Sequence, residues 1–238
     1  MLDQIQLGAL TLDVDRKDIK NIHLSVHPPT GRVTIAAPAH MKLDTIRVYA
    51  ISKLAWITSQ QRKMQMQDRE TPREYLERES HYIWGKRYLL SIQEKNAPPA
   101  VSLAHKTLVL TVRPGATVEK RQAVLEAWYR EELKAALPPL IEKWSPRIGV
   151  EVKKIYVRRM KTKWGSCTHH QGTIRLNTEL AKKPRPCLEY LVVHEMVHLH
   201  EPTHNDRFVA LMDEHLPNWR TTRNILNDLP VRHESWRY

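Results

Sequence analysis

Residues 188–204 of the chain read LEYLVVHEMVHLHEPTH. Between Leu188 and Leu199 apolar residues continue almost all the way round a helix, a pattern typical of a helix buried in a core. His194 and His198 lie four residues apart and therefore on the same face of that helix. Because buried imidazoles and the carboxylate between them are costly without a partner, the segment predicts a buried metal-binding helix.

The arrangement His194-Glu195-x-x-His198 also indicates a chemistry. Zinc hydrolases use this spacing, since neutral imidazole suits zinc and zinc lowers the pKa of its bound water to roughly 7. Glu195 is predicted to be the catalytic residue, which takes a proton from that water and passes it to the leaving group. The structural alternative is a pair of hydrogen-bonded core histidines beside a salt-bridged glutamate.

A catalytic zinc site uses three protein ligands and keeps one position open. His204 is the nearest candidate, but a straight helix would carry it about 9 Å beyond His198 along the axis. Pro202 disfavours the helical conformation at the residue before it, so the chain can turn back and bring His204 to the metal. We therefore predict His194, His198 and His204 as the zinc ligands. Glu214, on the following helix, is the alternative third ligand.

Residues around the third histidine refine this prediction. Glu201 argues against a metzincin, because that pattern requires a glycine three residues after the second histidine. Asn205 and Asp206 follow His204 directly and are predicted to cap the next helix. Asp206 could instead orient a ligand histidine by accepting a hydrogen bond from the ring nitrogen that does not bind the metal, which is the less favoured interpretation.

The remaining sequence predicts small sheets followed by packed helices, which is an α+β fold. The first half predicts a hairpin over 19–36, a helix from Leu43 to about Asp68 capped by Asp44, strands within 81–112, and a helix from Thr117 to about Lys143 that Pro138-Pro139 break or bend. The second half predicts strands at 152–157, 163–167 and 173–177, a turn at 169–172, and helices at 206–214 and 219–227. We divide the chain into a strand-rich region with one long helix, residues 1–115, and a metal-binding catalytic region, residues 116–238; the two could form one continuous domain.

Composition narrows the class of protein. The 238 residues carry a formal net charge of +12, and 41% of them are hydrophobic, as in a folded protein rather than a disordered one. No apolar run approaches the ~18 residues that a membrane span needs, and the start lacks the pattern of a secretion signal. The two cysteines, Cys167 and Cys187, exclude a disulfide framework and favour a reducing compartment. We therefore expect a cytoplasmic protein without a membrane partner.

Several motifs resemble those of a known family, the YgjP-like metallopeptidases, also called the domain-of-unknown-function 45 family and grouped with the M48-type zincins. The resemblance rests on KTKWGSC at 161–167, GTIRLN at 172–177, YLVVHEMVHL at 190–199 and the pair His204-Asn205. It extends to RKDI at 16–19, GRV at 31–33 and Ala37-Pro38, so that it covers nearly the whole chain.

The resemblance implies a zincin-like fold, in which the edge strand of a small sheet lies over the metal helix. It also implies His194, His198 and His204 as ligands and Glu195 as the catalytic glutamate. Residues 163–177 would form the hairpin next to that helix, and an exposed edge strand there could bind an extended peptide by strand addition. Within this hairpin we interpret Trp164 as a structural anchor and Cys167 as a small buried hydrophobe, with a fourth-ligand or redox role for Cys167 as the alternative.

The leading functional prediction is a zinc metallohydrolase, specifically a metalloendopeptidase that cleaves peptide or protein substrates. One alternative is metal-dependent hydrolysis of nucleoside triphosphates, including uridine triphosphate, to the monophosphate and pyrophosphate, an activity to which similar proteins have been linked. Arginine binds phosphate oxygens in a bidentate way, so this alternative is favoured by the basic residues Arg158, Arg159, Lys161, Lys163 and Arg175. A solvated strand face would explain the same residues.

A second alternative is a protease associated with DNA. Related zincins act on DNA–protein crosslinks, and the charge of +12 is compatible with a nucleic-acid partner. However, the sequence contains no zinc-finger or helix-turn-helix pattern, and its basic residues are not concentrated in one tail. A non-enzymatic scaffold is disfavoured, because the predicted ligands and the predicted base are all present.

Overall fold

The computed structural model describes residues 3–27, 30–66, 73–160 and 163–230. The chain divides into two compact units, Met1–Thr71 with Pro230–Tyr238, and Pro72–Leu229. Both units combine strands with helices, which confirms the predicted α+β class. The sequence-based boundary after residue 115 falls inside the second unit and stays a prediction.

The first unit is a sheet with two helices. Its described elements are β1 (Asp3–Leu7), β2 (Leu10–Lys17), β3 (His23–His27), β4 (Arg32–Pro38), α1 (Leu43–Ser52) and α2 (Leu54–Met66). The strand order is β1-β2-β4-β3, with β2 and β4 parallel and the two outer pairs antiparallel. The β3–β4 pair confirms the predicted hairpin, although Pro28-Pro29 of its turn lie outside the described residues. Alternate strand residues and residues from both helices form the core: Ile5, Leu12, Val14, Val33, Ile35, Ala37, Ile46, Ala50 and Ile57.

Helices α1 and α2 occupy the region predicted as one long helix, whose expected end, Asp68, lies outside the described residues. The interruption is at Lys53, whose N–H bonds to the carbonyl of Ala50 in the tighter i→i−3 pattern that closes many helix ends. The predicted Asp44 cap is wrong, because Lys42 occupies the N-cap position and makes no side-chain cap hydrogen bond. Asp44 lies instead in the first turn, where its negative charge suits the helix dipole.

The second unit contains two sheets and the remaining helices. Its described elements are β5 (Ser80–Ile83), β6 (Lys86–Glu94), β7 (Ala100–Ala104), β8 (Thr107–Val112), α3 (Val118–Ile148), β9 (Lys154–Arg158), β10 (Gly165–Thr168), β11 (Thr173–Asn177), α4 (Arg185–Val197), α5 (Asp206–His215) and α6 (Trp219–Asp228). The first sheet has the order β5-β6-β8-β7 and the second the order β10-β11-β9. In the second sheet β10 is antiparallel and β9 parallel to the central strand β11. The strands, turn and helices predicted for the last third are thereby confirmed within a few residues.

Helix α3 is continuous over 31 residues, so Pro138-Pro139 do not break it, and the bend predicted as the alternative stays a prediction. Each interior proline removes one backbone hydrogen bond, but tertiary packing of the buried face outweighs that loss. The buried residues recur at helical spacing along the whole length: Leu125, Tyr129, Leu133, Leu137, Trp144 and Ile148. Thr117 caps the start by accepting a hydrogen bond from the Lys120 N–H, and Gly149, with φ of 73°, ends the helix in the left-handed conformation.

Helix α4 lies at the centre of the second unit's core, as its apolar periphery predicts. Nine of its residues are buried: Cys187, Leu188, Tyr190, Leu191, Val192, Val193, Glu195, Met196 and Val197. They join a cluster that includes Leu133 of α3, Ile174 of β11, Met212 of α5 and Leu226 of α6. The helix is therefore held by packing from several elements, and the side chains it presents at its carboxyl end have fixed positions.

Candidate metal centre

The three predicted ligands meet at the carboxyl end of α4. His204 Nε2 lies 3.1 Å from His194 Nε2 and 3.1 Å from His198 Nε2. One ring nitrogen of each histidine lies within 4.8 Å of the others. His204 lies ten positions after His194, so the chain after α4 must turn back to produce this arrangement.

The turn that brings His204 back to the other histidines begins before the position expected from Pro202, which predicts a helix end at Glu201. Helix α4 ends at Val197, and the N–H groups of Leu199 and His200 bond three residues back, in the tighter pattern of a helix end. Helix α5 then starts at the predicted cap, because the Asn205 side chain accepts a hydrogen bond of 3.0 Å from the Phe208 N–H. Both ends of the short connection are thus held by local hydrogen bonds.

Hydrogen bonding orients the ring of His198. Its Nδ1 lies 2.9 Å from the carbonyl oxygen of Glu201, which can only accept, so Nδ1 carries the proton. The lone pair is therefore on Nε2, the atom that faces the other two histidines. Among the described residues, His194 Nδ1 is buried without a hydrogen-bond partner.

The surroundings keep all three imidazoles neutral. Burial lowers the pKa of His194 to about 3, with further lowering from the neighbouring imidazoles and from Arg223. Burial likewise lowers the pKa of His198 and that of His204. A neutral imidazole is the form that binds a metal, so no proton has to be displaced at neutral pH.

The donor set fits a metal ion better than it fits a hydrogen-bond network. A single ring nitrogen of His204 cannot satisfy two other nitrogens at once, because it offers either one hydrogen or one lone pair. Zn–N bonds of ~2.0–2.1 Å in tetrahedral geometry place two ligand nitrogens about 3.3 Å apart, close to the observed 3.1 Å. The three nitrogen donors, one of them on the exposed His204, are one fewer than the four ligands of a tetrahedral zinc ion.

Glu195 is the buried carboxylate of the site, with 3% of its surface exposed. Burial raises its pKa to about 8, and the charge of Lys163 opposes that rise. Its Oε2 is buried without a hydrogen-bond partner within the described residues. A salt-bridged structural glutamate would show a partner for that oxygen, so this arrangement does not match the structural alternative.

Strand β10 runs beside Glu195. The pairs Gly165–Leu176 and Cys167–Ile174 place these two residues of β10 on the core face of the sheet. The charge of Glu195 acts on the thiol of Cys167, whose pKa is raised to about 11 mainly by burial. Cys167 is half-buried on this face of the sheet, and its role stays a prediction.

Two further residues of the predicted set have other surroundings. Glu214 is exposed on α5 and is not part of the group of potential ligands. Trp164 is packed against the core, its carbonyl accepts a hydrogen bond from the Asn177 N–H, and its ring lies 5.7 Å from the Lys183 ammonium. These contacts agree with the interpretation of Trp164 as an anchor of the hairpin.

Two of the basic residues around the hairpin lie on the outer face of the sheet. Arg175 pairs with Tyr156 across the strands, on the face opposite Gly165, and donates a hydrogen bond of 2.7 Å to Thr168. Arg158 alternates onto the same outer face, and Lys161 lies outside the described residues. Lys163, which precedes β10, has a charge that acts on Glu195.

Sequence reasoning missed the aromatic residues that surround the histidines. Phe208 packs against all three rings, at centroid distances of 5.0, 4.6 and 4.7 Å. Tyr190 contacts His194 at 5.7 Å and is stacked on Trp219 at 6.4 Å. The predicted cap at Asn205 could have indicated Phe208. This residue, the sole phenylalanine of the chain, lies in the first turn after the cap and therefore close to His204 in the sequence.

A family model of the YgjP-like metallopeptidase domain matches residues 20–229. The chain belongs to the YgjP-like metallopeptidase family. Family membership indicates that this YgjP-like protein is a metallopeptidase. It therefore implies a metal ion and a peptide substrate. The three nitrogens and the buried glutamate lie within the matched region. No protein with a curated description matches the chain.

Two solved structures are similar to part of the YgjP-like protein. The metallopeptidase zymogen abylysin of Pyrococcus abyssi has 20% identity and a TM-score of 0.31, with 41% of this chain and 87% of that chain covered. The metallopeptidase zymogen jannalysin of Methanocaldococcus jannaschii has 18% identity and a TM-score of 0.33, with 40% of this chain and 92% of that chain covered. Within the described residues, no helix combines the length and apolar character needed to cross a membrane.

Proposed function

We propose that this YgjP-like protein is a zincin-like, zinc-dependent peptidase in which His194, His198 and His204 bind the metal and Glu195 is the catalytic base. The convergence of three neutral imidazole nitrogens beside a buried carboxylate carries the proposal. Three nitrogen donors with one open side are a typical donor set of catalytic zinc. Endopeptidase action of the M48 type belongs to the same proposal.

When bound, zinc supplies Lewis-acid chemistry, which acidifies water and polarises the carbonyl of the scissile peptide bond. Glu195 accepts a proton from the attacking water and later donates it to the departing amine. Its burial favours the protonated form, so the proton is retained between these two events. Before the reaction, the ionised form of Glu195 is favoured by the positive charge of the metal and of Lys163.

The proposed peptide substrate binds in extended form along β10. In the described part of the chain β10 pairs with β11 alone, so its other edge has free N–H and C=O groups. An extended peptide can add to such an edge as a further strand. Because Gly165 of β10 lies against the Glu195 side chain, a peptide at this edge would pass close to the catalytic base.

The positions of Arg158 and Arg175 do not favour the nucleotide alternative, whereas the position of Lys163, whose charge acts on Glu195, is compatible with it. Arg158 and Arg175 lie on the sheet face opposite Glu195, and the Arg175 guanidinium lies over the Tyr156 ring at 5.8 Å. They are therefore placed to meet solvent rather than a phosphate at the three imidazoles. A nucleic-acid partner likewise gains no support from the family match.

The test compares zinc-loaded wild type with Glu195→Gln, using an unfolded protein such as casein and a panel of nucleoside triphosphates as substrates. Glu195→Gln should keep its zinc and lose about 10²–10⁴-fold in peptide cleavage, because the proton acceptor is removed. The matched control is Glu189→Gln on the same helix, where the carboxylate bonds to Lys143 and Trp144 instead. Glu195-dependent pyrophosphate release without proteolysis, or full proteolysis by Glu195→Gln, would overturn the proposal.

A reducing, cytoplasmic setting is part of the same proposal. Both cysteines are free thiols, with Cys187 buried and Cys167 half-buried. Free thiols persist where the compartment is reducing. Fractionation of cells that express the native protein provides the test, and recovery of the protein outside the cytoplasmic fraction would contradict it.

A further inference from the structure

The side chain of Glu195 fills the space beside Gly165 of β10. A Cβ atom built at position 165 would lie 2.9 Å from Cδ and 3.1 Å from Cγ of Glu195, and closer still to Oε1. Non-bonded carbon atoms pack at about 3.5–4.0 Å, so even a methyl group collides with the carboxylate. Because the carboxylate is itself buried, it has little room to retreat.

The backbone gives no separate reason for glycine at this position. The other six glycines of the chain have a positive φ, the conformation that side chains disfavour, and Gly165 does not. Its place in the regular β10–β11 ladder is one that any residue adopts. The missing side chain at position 165 therefore serves the contact with Glu195.

The contact joins the two parts of the proposed active site. The Glu195 carboxylate is the proposed base, and β10 is the strand along which the peptide is proposed to bind. Glu195 Oε2 has no hydrogen-bond partner among the described residues, so packing determines where the carboxylate lies. Gly165 supplies that packing from the side of the strand.

We propose that Gly165 is a positioning residue, whose lack of a side chain sets the distance between the base Glu195 and the peptide-binding strand β10. The proposal rests on the proposed function for its catalytic consequence. Its structural consequence, a steric coupling between positions 165 and 195, does not depend on the reaction. The two consequences are measured separately.

The catalytic experiment uses the zinc-loaded full chain with Gly165→Ala. Displacement of the carboxylate should lower kcat for peptide cleavage about a hundredfold, with zinc content unchanged and KM changed far less. Ser102→Ala is the control, because Ser102 is exposed on β7, in the sheet that does not contain β10, and this variant should keep wild-type kcat. Wild-type kcat in Gly165→Ala would overturn the proposal.

The structural experiment measures the Tm of Gly165→Ala in three backgrounds: Glu195, Glu195→Gln and Glu195→Ala. The substitution should lower Tm by about 3 °C or more in the first two backgrounds, since glutamine has the shape of glutamate. In Glu195→Ala the added methyl group occupies vacated space, so the loss of Tm should largely disappear.

The outcomes separate the two proposals. Equal losses of Tm in all three backgrounds would overturn the steric coupling. If Gly165→Ala does not fold, the double variant Gly165→Ala/Glu195→Ala should fold, and its failure to fold would also overturn the coupling. Wild-type turnover by Glu195→Gln would overturn the role of Glu195 as base, while the Tm comparison would still decide whether its side chain requires glycine at position 165.

Discussion

The ring of Phe208 lies 4.6 Å from the ring of His198, centroid to centroid, and it contacts the other two histidines of the site as well. Phe208 is 1% exposed, on the first turn of α5. All three imidazoles therefore rest on one apolar side chain. Their orientation depends on packing against the Phe208 ring as well as on the hydrogen bond that His198 makes to the Glu201 carbonyl.

Phe208→Ala is expected to weaken metal binding as well as stability. Removal of the buried ring should lower the free energy of unfolding by about 3–5 kcal/mol, and the loosened imidazoles should bind zinc roughly 10–100-fold more weakly. Denaturant unfolding and competition with a zinc chelator measure the two effects. Met212→Ala, at another buried position of α5, should lose stability without that loss of zinc affinity. Equal zinc affinities in the two variants would contradict the role of the ring.

His204→Ala and Glu214→Ala decide between the two third ligands that the sequence allows. His204 Nε2 faces both helical histidines, whereas Glu214 is exposed and outside that group. His204→Ala should therefore lower zinc affinity at least about tenfold, and Glu214→Ala should bind zinc like wild type. Zinc content after dialysis against a chelator gives the answer. Loss of metal in Glu214→Ala alone would assign the third position to the glutamate.

Asn177 should be essential for the segment that leads into β10. Its buried Nδ2 donates to the carbonyls of Met160 and Lys163 at 2.8 and 2.9 Å, and its Oδ1 accepts from the Glu179 N–H at 3.2 Å. Asn177→Ala should cost about 1–3 kcal/mol in the free energy of unfolding. Asn177→Asp should cost more, because an oxygen then faces the two carbonyl oxygens.

Denaturant unfolding of both Asn177 variants provides the measurement, with Asn224→Ala, an exposed position on α6, as the control. Peptide cleavage should fall in parallel, because Lys163 lies close enough to Glu195 for its charge to act on that carboxylate. A stability of Asn177→Asp equal to wild type would show that the Nδ2 hydrogen bonds are unimportant.

Acid should remove a stabilising interaction from the first unit. The Arg32 guanidinium bonds to Asp13 at 2.6 Å and Gln4 bonds to the same carboxylate at 2.8 Å, and both contacts lower the pKa of Asp13. The carboxylate therefore contributes stability above its unfolded-state pKa of about 3.9, and this contribution is lost as the pH falls through the lower folded-state pKa.

The test measures the Tm of wild type and of Asp13→Asn at a series of pH values from neutral to about pH 2.5 and compares the difference between them. Wild type should have the higher Tm at neutral pH, and the difference should shrink as the carboxylate of the folded protein becomes protonated. Arg32→Gln should show the same convergence, because it removes the main cause of the pKa shift. A difference in Tm that stays constant across the pH range would contradict this linkage.

The elements that sequence reasoning placed correctly are those whose signals are local. The apolar periphery of α4, the Asn205 cap of α5 and the alternation in β11 each depend on neighbouring residues within one element. The break expected in α3 is an error of another kind, because distant packing prevailed there over local preference. Pro138-Pro139 do not interrupt α3, because the packing of its buried face outweighs the two lost hydrogen bonds.

The spacing of His194, Glu195 and His198 by itself determined that a pair of imidazoles and a carboxylate share the end of a buried helix, since helical geometry follows from sequence separation. The tertiary structure alone decided the rest. It placed Phe208 beneath the rings and the Glu195 carboxylate against Gly165. Such contacts join residues from different elements, and their distances depend on how whole helices and strands pack rather than on any local periodicity.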